Sequence, residues 1–181
     1  MADDDVEKIV VAVEQGTDTI AVPGELLQET SEAAAAAPTP EQPQARSLYA
    51  EILTMGVPEK IKLALRGNKS ARGLLINDPN KIIRRLVLQN PRITDGEIAA
   101  LARNKSTDDE LIRMIGLRSD WMRFYAVRLG LVTNPRTPLP MALKVLPTLS
   151  QRDIGALARS RNVPTAIASQ ARRLTNSKGE G

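Results

Sequence analysis

The chain has 181 residues, contains neither cysteine nor histidine, and carries a formal net charge of +4. Because these two residue types are missing, a disulfide framework, a thiolate or imidazole metal site, a cysteine nucleophile and a serine triad are all excluded. We therefore expect a binding protein that is not an enzyme and that has no cofactor or metal.

The charges are divided along the sequence. Residues 1–45 hold ten acidic side chains and one basic one, whereas residues 46–181 hold 24 basic and 11 acidic ones. This asymmetry predicts an anionic partner, or an acidic tail that competes for the basic surface; a tail that only aids solubility is the alternative. The acidic start and the lack of an apolar run of about 20 residues predict a cytoplasmic protein without a membrane partner.

The amino-terminal segment, residues 1–27, has apolar residues at helical spacing. They are Val6, Ile9, Val10 and Val13. A short amphipathic helix is one interpretation, and a strand through residues 9–13 is the other. Residues 28–46 contain five consecutive alanines and several prolines, which predicts a linker because these residues have no large apolar side chains to bury. We expect a disordered acidic tail, followed by a folded basic domain at residues 47–178.

From residue 47 onward, helix starts and helical periodicity alternate almost continuously. Three starts carry a capping-box pattern, in which a hydroxyl accepts a hydrogen bond from an amide three residues later and the acid there bonds back. The expected pairs are Thr94 with Glu97, Thr107 with Glu110, and Ser150 with Asp153. Apolar residues follow each start at helical spacing. We expect roughly nine or ten helices in this domain.

Prolines and asparagines predict where these helices end. Because a proline disfavours the α region for the preceding residue, helices should end near four positions. These are Asp78, Asn90, Asn134 and Val163. Asn104 and Asn162 should adopt the left-handed conformation that often follows a helix. Helices of about 8–14 residues with short connections leave no room for a sheet crossover, so the fold class is all-α.

Two parts of the chain repeat each other. Asn90-Pro91-Arg92 is matched by Asn134-Pro135-Arg136, and an arginine, Arg84 or Arg128, lies six residues before each asparagine. Each copy also begins with Asn-Lys-Ser and ends with Leu-Ala-Arg, and residues 63–66 look like the end of a preceding copy. A recurring helix-and-turn unit predicts an architecture built by stacking.

With an acid, an arginine, Asn-Pro and a leucine-rich helix in this order, the sequence resembles the leucine-rich-repeat-variant and HEAT-like superhelical families. The resemblance covers residues 68–150 best, is closest at residues 134–139, and extends to bacterial proteins of this length. It implies a right-handed α-solenoid of short stacked helices that binds macromolecules. The cysteine-bearing cluster module found beside some variant repeats is missing, so no iron–sulfur chemistry is implied.

Equivalent positions of successive repeats lie along one strip of a solenoid. Basic residues at such positions would form a groove for an anionic partner, and nearby aromatic side chains would serve as interface anchors. The predicted binding residues are Lys69, Arg84, Arg92, Lys105, Trp121, Tyr125, Arg128 and Arg136.

Structural roles are the alternative for several of these residues. In the acid–arginine ladder that the resemblance suggests, ion pairs would join Arg84 to Asp78 and Arg128 to Asp120. The arginines of the two Asn-Pro-Arg turns have no such obvious structural role.

The aromatic residues and the turn asparagines also have structural alternatives. Trp121 would pack between repeats, on one helix with Phe124 and Tyr125, where the three rings share a face. Asn90 and Asn134 would cap neighbouring amides with their side chains.

Two functions are consistent with this sequence. The first is a protein-interaction adaptor or scaffold that presents a basic solenoid surface to an acidic protein segment. The alternative is a nucleic-acid-associated protein that binds a phosphate backbone without base specificity. One Trp, two Tyr and one Phe are too few for a base-stacking platform, so protein binding is preferred.

Overall fold

The structure is a computed structural model that describes residues 3–29 and 50–176. Every regular element in these two stretches is a helix, which confirms the all-α prediction. The chain divides into two compact units, unit 1 (Met1–Ile93) and unit 2 (Thr94–Gly181). The sequence suggested a boundary near residue 47, whereas the division between the units comes after Ile93.

In unit 1, helix α3 is the central element. The helices are α1 (Asp3–Gln15), α2 (residues 50–54), α3 (Val57–Arg66), α4 (Lys69–Leu75) and α5 (Lys81–Val87), with a 3-10 turn at Gly24–Leu26. A proline in its first turn favours the start of α3, where an amide would have no helical partner. Helix α3 packs against α1, α4 and α5, and its Ile61, Leu63 and Ala64 are fully buried.

The amino-terminal segment belongs to this unit. Helix α1 packs on α3 and buries Val6 and Val13, so the helical interpretation is confirmed and the strand is not observed. Gly16 then ends α1 with a φ of 71°, a left-handed conformation that glycine adopts at little cost. The expected disorder is therefore wrong for residues 3–29, because α3 supplies the apolar surface that this segment lacks by itself. The predicted linker falls mostly on residues 30–49, outside the described residues.

Unit 2 contains the remaining helices. They are α6 (Asp95–Arg103), α7 (Asp109–Leu117), α8 (Ser119–Met122), α9 (Tyr125–Thr133), α10 (Leu139–Val145), α11 (Gln151–Arg159) and α12 (Thr165–Asn176), with a 3-10 turn at Leu146–Thr148. Helix α6 packs on α9, and α11 packs on α12. The carboxy-terminal part of the core contains the buried side chains of Leu146, Ile154 and Ile167.

The predicted capping box at α6 is confirmed. Thr94 accepts from the amide of Glu97, and the Glu97 carboxylate accepts from the amide of Thr94. At α11, Ser150 is the N-cap and accepts from the amide of Asp153, as predicted.

The cap predicted at Thr107 is wrong by one residue. Asp108 caps α7 by accepting from the amide of Glu110. Thr107 is buried, and its hydroxyl donates instead to the carbonyl of Leu101, 2.8 Å away. Thr107 therefore bonds to the last turn of α6, and Asp108 is the N-cap of α7.

The predicted left-handed asparagines are also wrong. Asn104 follows α6 with φ −72° and ψ 116°, and glycine is the sole residue type with a positive φ in residues 3–29 and 50–176. The Asn104 side chain accepts from the amide of Ser106, so an extended backbone with a side-chain turn replaces the left-handed cap.

Helix ends lie near the predicted residues but come before them. Helix α9 ends at Thr133, directly before Asn134, whereas α4 and α5 each end three residues before Asp78 and Asn90. The amides of Asp78 and Asn90 donate to carbonyls three positions back, so a tight 3-10-like turn separates each of these helices from the proline that follows.

Candidate functional site

The asparagine of the first Asn-Pro-Arg turn joins two helices of unit 1. Its Nδ2 donates to the carbonyls of Ala64 at 2.9 Å and Gly67 at 3.2 Å, at the end of α3. Its Oδ1 accepts from the amide of Arg92 at 2.9 Å. Asn90 is 2% exposed, so the side chain satisfies buried main-chain groups that water cannot reach.

The second turn repeats this arrangement in unit 2. The Nδ2 of Asn134 donates to the carbonyls of Ala102 at 2.8 Å and Asn104 at 3.0 Å, at the end of α6. Its Oδ1 accepts from the amide of Arg136 at 2.9 Å. Asn134 is 3% exposed. The ends of α3 and α6 are therefore equivalent. Both asparagines cap a neighbouring amide, as the sequence allowed, and in addition bind a second helix, which the sequence did not predict.

The arginines of the two turns have structural contacts that the sequence did not suggest. Arg92 donates to the carbonyl of Leu27 at 2.7 Å. Arg136 donates through Nε to the carbonyl of Lys105 at 3.2 Å and pairs with Asp109 at 3.1 Å. Both residues are exposed, but each guanidinium is directed toward its own unit.

The two predicted lysines lie beside these turns. Lys69 is the first residue of α4 and is half-buried, whereas Lys105 is exposed in the connection between α6 and α7. In unit 2, Arg136 contacts the main chain of Lys105 and not its charged group.

The arginines six residues earlier are held by carbonyl groups. Arg84 donates to the carbonyl of Asp78 at 2.7 Å, while the Asp78 carboxylate pairs with Lys60 at 3.0 Å. Arg128 donates to the carbonyl of Thr148 at 3.0 Å. Asp120 pairs with a residue of its own turn, Arg123, at 3.7 Å, because it lies on a different helix from Arg128.

The three clustered aromatic residues do not share one helix, which corrects the prediction. Helix α8 ends at Met122 and α9 begins at Tyr125, because Phe124 is extended with φ −78° and ψ 121°. Trp121 is 7% exposed, and the Arg118 guanidinium lies 4.4 Å from its ring centroid. Trp121 is therefore packed inside unit 2, whereas Phe124 and Tyr125 remain at the surface.

Tyr125 joins the start of α9 to the start of α11. Its hydroxyl donates to the Asp153 carboxylate and accepts from the amide of Ser150 at 3.1 Å. Asp153 is too short to reach the cap amide in the manner of a glutamate, so the tyrosine hydroxyl bridges the gap. The hydrogen bond from Tyr125, with a second from the Ser150 hydroxyl, lowers the pKa of Asp153 below its ordinary value.

Arg128 lines an open cavity of about 530 Å³ in unit 2, which we call the Arg128 cavity. Its lining includes Leu117, Met122, Arg128, Met141, Lys144 and Val145. Gly116 permits this arrangement, since a Cβ there would collide with the Met141 sulfur. The glycine therefore leaves room for the Met141 side chain at this cavity.

The cavity combines apolar and cationic groups. The Leu117 side chain at the end of α7 is 79% exposed. Within the cavity wall, Arg128 keeps a buried Nε that has no hydrogen-bond partner. Its Nη1 is used by Thr148, and its guanidinium lies 5.5 Å from the Tyr125 ring centroid. The arrangement can bind an apolar side chain together with an anionic acceptor.

Of the predicted binding residues, the structure brings Arg128 and Tyr125 together at this cavity. Sequence reasoning did not identify Leu117, Met141 or Lys144. A signal existed for Leu117, because it lies on the polar side of an otherwise regular amphipathic helix. Met141 and Lys144 had none, since their role depends on the packing of α10 against α7 and α9.

No family model, curated protein or solved structure matches the chain. Across residues 3–29 and 50–176, no helix combines the length and apolar character required to cross a bilayer. No cluster of acidic side chains in the described part is arranged to hold a metal ion.

Proposed function

We propose that the protein is a non-enzymatic adaptor, built as a right-handed α-solenoid, and that it binds an acidic segment of a partner protein in the Arg128 cavity. The observation that carries this proposal is an exposed leucine at an open cavity that is also lined by an arginine and a lysine. The recurrence of the asparagine contact in both units supports the stacked-repeat part of the proposal.

The chemistry of the cavity defines the ligand. An apolar side chain placed over Leu117 and Met141 would remove apolar surface from water, which is worth about 1.5–3 kcal/mol for a leucine-sized group. A neighbouring carboxylate would be attracted by the guanidinium of Arg128 and by the ammonium of Lys144, which line the same cavity.

The same features favour protein over nucleic acid. A phosphate backbone has no apolar group to cover Leu117, and sequence-independent binding to it needs several cations along a track. The Arg128 cavity has two cations and a largely apolar lining. A peptide that carries a leucine or phenylalanine next to a glutamate or aspartate supplies both kinds of contact.

Selection from a displayed library of random 12-residue peptides on the full chain tests this proposal. We expect enrichment of sequences with a bulky apolar residue beside acidic ones. In fluorescence anisotropy, Leu117→Glu should abolish binding of a selected peptide, because it places a charge at the apolar mouth. Arg128→Gln should weaken binding about tenfold or more.

Two controls make the result decisive. Arg173→Gln removes one exposed positive charge from α12 and should leave the affinity unchanged. Leu117 is mostly exposed, so its replacement should keep the melting temperature. Peptides without acidic residues, or binding that survives Leu117→Glu, would overturn the proposal. Binding of a 20-base-pair duplex that weakens steeply with salt and ignores Leu117→Glu would favour the nucleic-acid alternative.

A further inference from the structure

A separate surface, in unit 1, binds the acidic amino-terminal segment of the chain. Lys62 on α3 pairs with Asp18 at 2.6 Å and donates to the carbonyl of Ile20, also at 2.6 Å. One turn later, Arg66 donates to the carbonyl of Glu14 at 3.1 Å, at the end of α1. The hydrogen bond from Lys62 lowers the pKa of Asp18, so the pair is intact at neutral pH.

Asn68 binds the second half of the segment. Its side-chain Nδ2 donates to the carbonyls of Glu25 at 2.9 Å and Gln28 at 3.0 Å. Its main-chain amide donates to the carbonyl of Leu26 at 2.7 Å. Leu26 itself is buried. One residue therefore holds a complete turn of the bound segment and places an apolar side chain beneath it.

Two arginines complete this surface. Arg72, which is 2% exposed, pairs with Glu29 at 2.8 Å, and Arg92 donates to the carbonyl of Leu27 at 2.7 Å. We call the surface formed by Lys62, Arg66, Asn68, Arg72 and Arg92 the docking face.

The docking face donates most of its hydrogen bonds to backbone carbonyls of the segment, and two ion pairs add charge specificity. The face thus fits an acidic helix followed by a turn that carries a buried leucine. Residues 3–29 provide this structure, and residues 30–49 connect them to α2. Because all the contacts described lie outside that connection, they would form equally well with residues 3–29 of another copy.

We propose that the docking face binds the amino-terminal segment of a second copy of this chain, so that two chains exchange residues 3–29 reciprocally. Twenty connecting residues, 30–49, span at most about 70 Å when extended. The intramolecular segment therefore has an effective concentration on the order of millimolar. Exchange becomes dominant when the chain reaches that concentration or when the intramolecular contact is weakened.

Complementary charge reversal tests the exchange. In Asp18→Lys and in Lys62→Glu, each chain's own segment meets a like charge. When the two variants are mixed, both exchanged pairings bring opposite charges together. If relief of each like-charge contact strengthens the association about thirtyfold, relief of two strengthens it about a thousandfold. The dissociation constant of the exchanged heterodimer then moves from millimolar to micromolar.

Light scattering after size-exclusion chromatography at about 50 μM gives the readout. Each variant alone should have the mass of one chain, 19.7 kDa, and the mixture twice that mass. The double variant Asp18→Lys with Lys62→Glu restores the pairing within one chain and should be monomeric. Asp18→Lys mixed with Lys81→Glu, an exposed lysine on α5, should also be monomeric.

Amide hydrogen exchange separates undocking from unfolding. In the single variants, α1 should lose protection while α3 keeps it, and mixing should restore protection in α1. A mixture that remains monomeric with α1 unprotected would overturn the proposal. For the unaltered chain, sedimentation should show a rising average mass as the concentration approaches about 1 mM, and a constant 19.7 kDa would also overturn it.

Discussion

The same Asn-Pro-Arg turn lies in different surroundings in the two units. In both, the asparagine is buried and binds two carbonyls at the end of another helix. In unit 1 the following arginine binds the amino-terminal segment, whereas in unit 2 it binds a neighbouring loop and Asp109. The contacts of the asparagine are therefore shared by the two units, whereas the contacts of the arginine differ between them.

A second difference lies four residues before each asparagine. Unit 1 has Leu86 there, and unit 2 has Gly130. A Cβ at Gly130 would lie 3.0 Å from the Cβ of Ala102, so α9 packs on α6 with the backbone itself at the contact. At the equivalent position of unit 1, α5 has the buried side chain of Leu86. Equivalent turns thus tolerate different helix packing.

The largest expected loss of stability comes from removing the asparagine from either unit. Asn90→Ala and Asn134→Ala would each remove three hydrogen bonds, and would leave the carbonyl of Ala64 or of Ala102 without its side-chain donor. The carbonyls of Gly67 and Asn104 would keep one other donor each, Arg72 and the amide of Thr107. We expect each to lower the free energy of unfolding by about 3 kcal/mol, measured by urea denaturation.

Asn77 provides the matched control for this test. It is exposed, and its side chain makes one long hydrogen bond of 3.4 Å, so Asn77→Ala should change stability by less than about 0.5 kcal/mol. A loss below about 1 kcal/mol at Asn90 or Asn134 would show that the shared turn does not hold the two helices together.

Glycine replacement sharpens the difference in packing. Gly130→Ala would press a methyl group against α6, and the overpacking should outweigh the gain in helix propensity, for a net loss of about 1–2 kcal/mol. Gly155 in α11 has no atom within 4 Å of the position that a Cβ would occupy, so Gly155→Ala should stabilise by about 0.5–1 kcal/mol. Thermal unfolding that gave both replacements the same sign would contradict the close approach of α9 to α6.

The sequence predicted the features that depend on near neighbours. The helical class, the Thr94 cap and the repeated asparagine turns all follow from residues a few positions apart. Docking of the amino-terminal segment was missed because Asp18 and Lys62 are 44 residues apart, and the composition of one segment does not show which other segment it contacts. The break before α9 and the residues of the Arg128 cavity were missed for a similar reason, since they depend on how α7, α9 and α10 pack.

Acid should destabilise unit 1, because protonation of Asp18 removes its ion pair with Lys62 on α3. Helix α6 of unit 2 has no equivalent lysine, because Ala99 and Ala100 occupy the corresponding positions. The pKa of Asp18 is lowered in the folded chain, so its stabilisation is present above the unfolded pKa of about 3.9 and is lost as pH falls through the folded value. Asp18→Asn should therefore cost about 1 kcal/mol at pH 7 and progressively less below about pH 4. Equal costs at pH 7 and pH 3 would show that the charge of Asp18 contributes nothing to the stability of unit 1.

The smallest effect concerns the tyrosine contact of unit 2. Tyr125→Phe keeps a ring beneath Arg128 and removes the hydroxyl that donates to Asp153. The pKa of Asp153, which is lowered chiefly by this hydrogen bond, should then rise toward its ordinary value, while the hydroxyl of Ser150 keeps part of the shift. Carbon-13 NMR titration of the Asp153 carboxyl group measures the change directly. Ser150→Ala should produce a smaller rise, because it removes the weaker of the two donors; the reverse order would mean that the serine, and not the tyrosine, holds the start of α11.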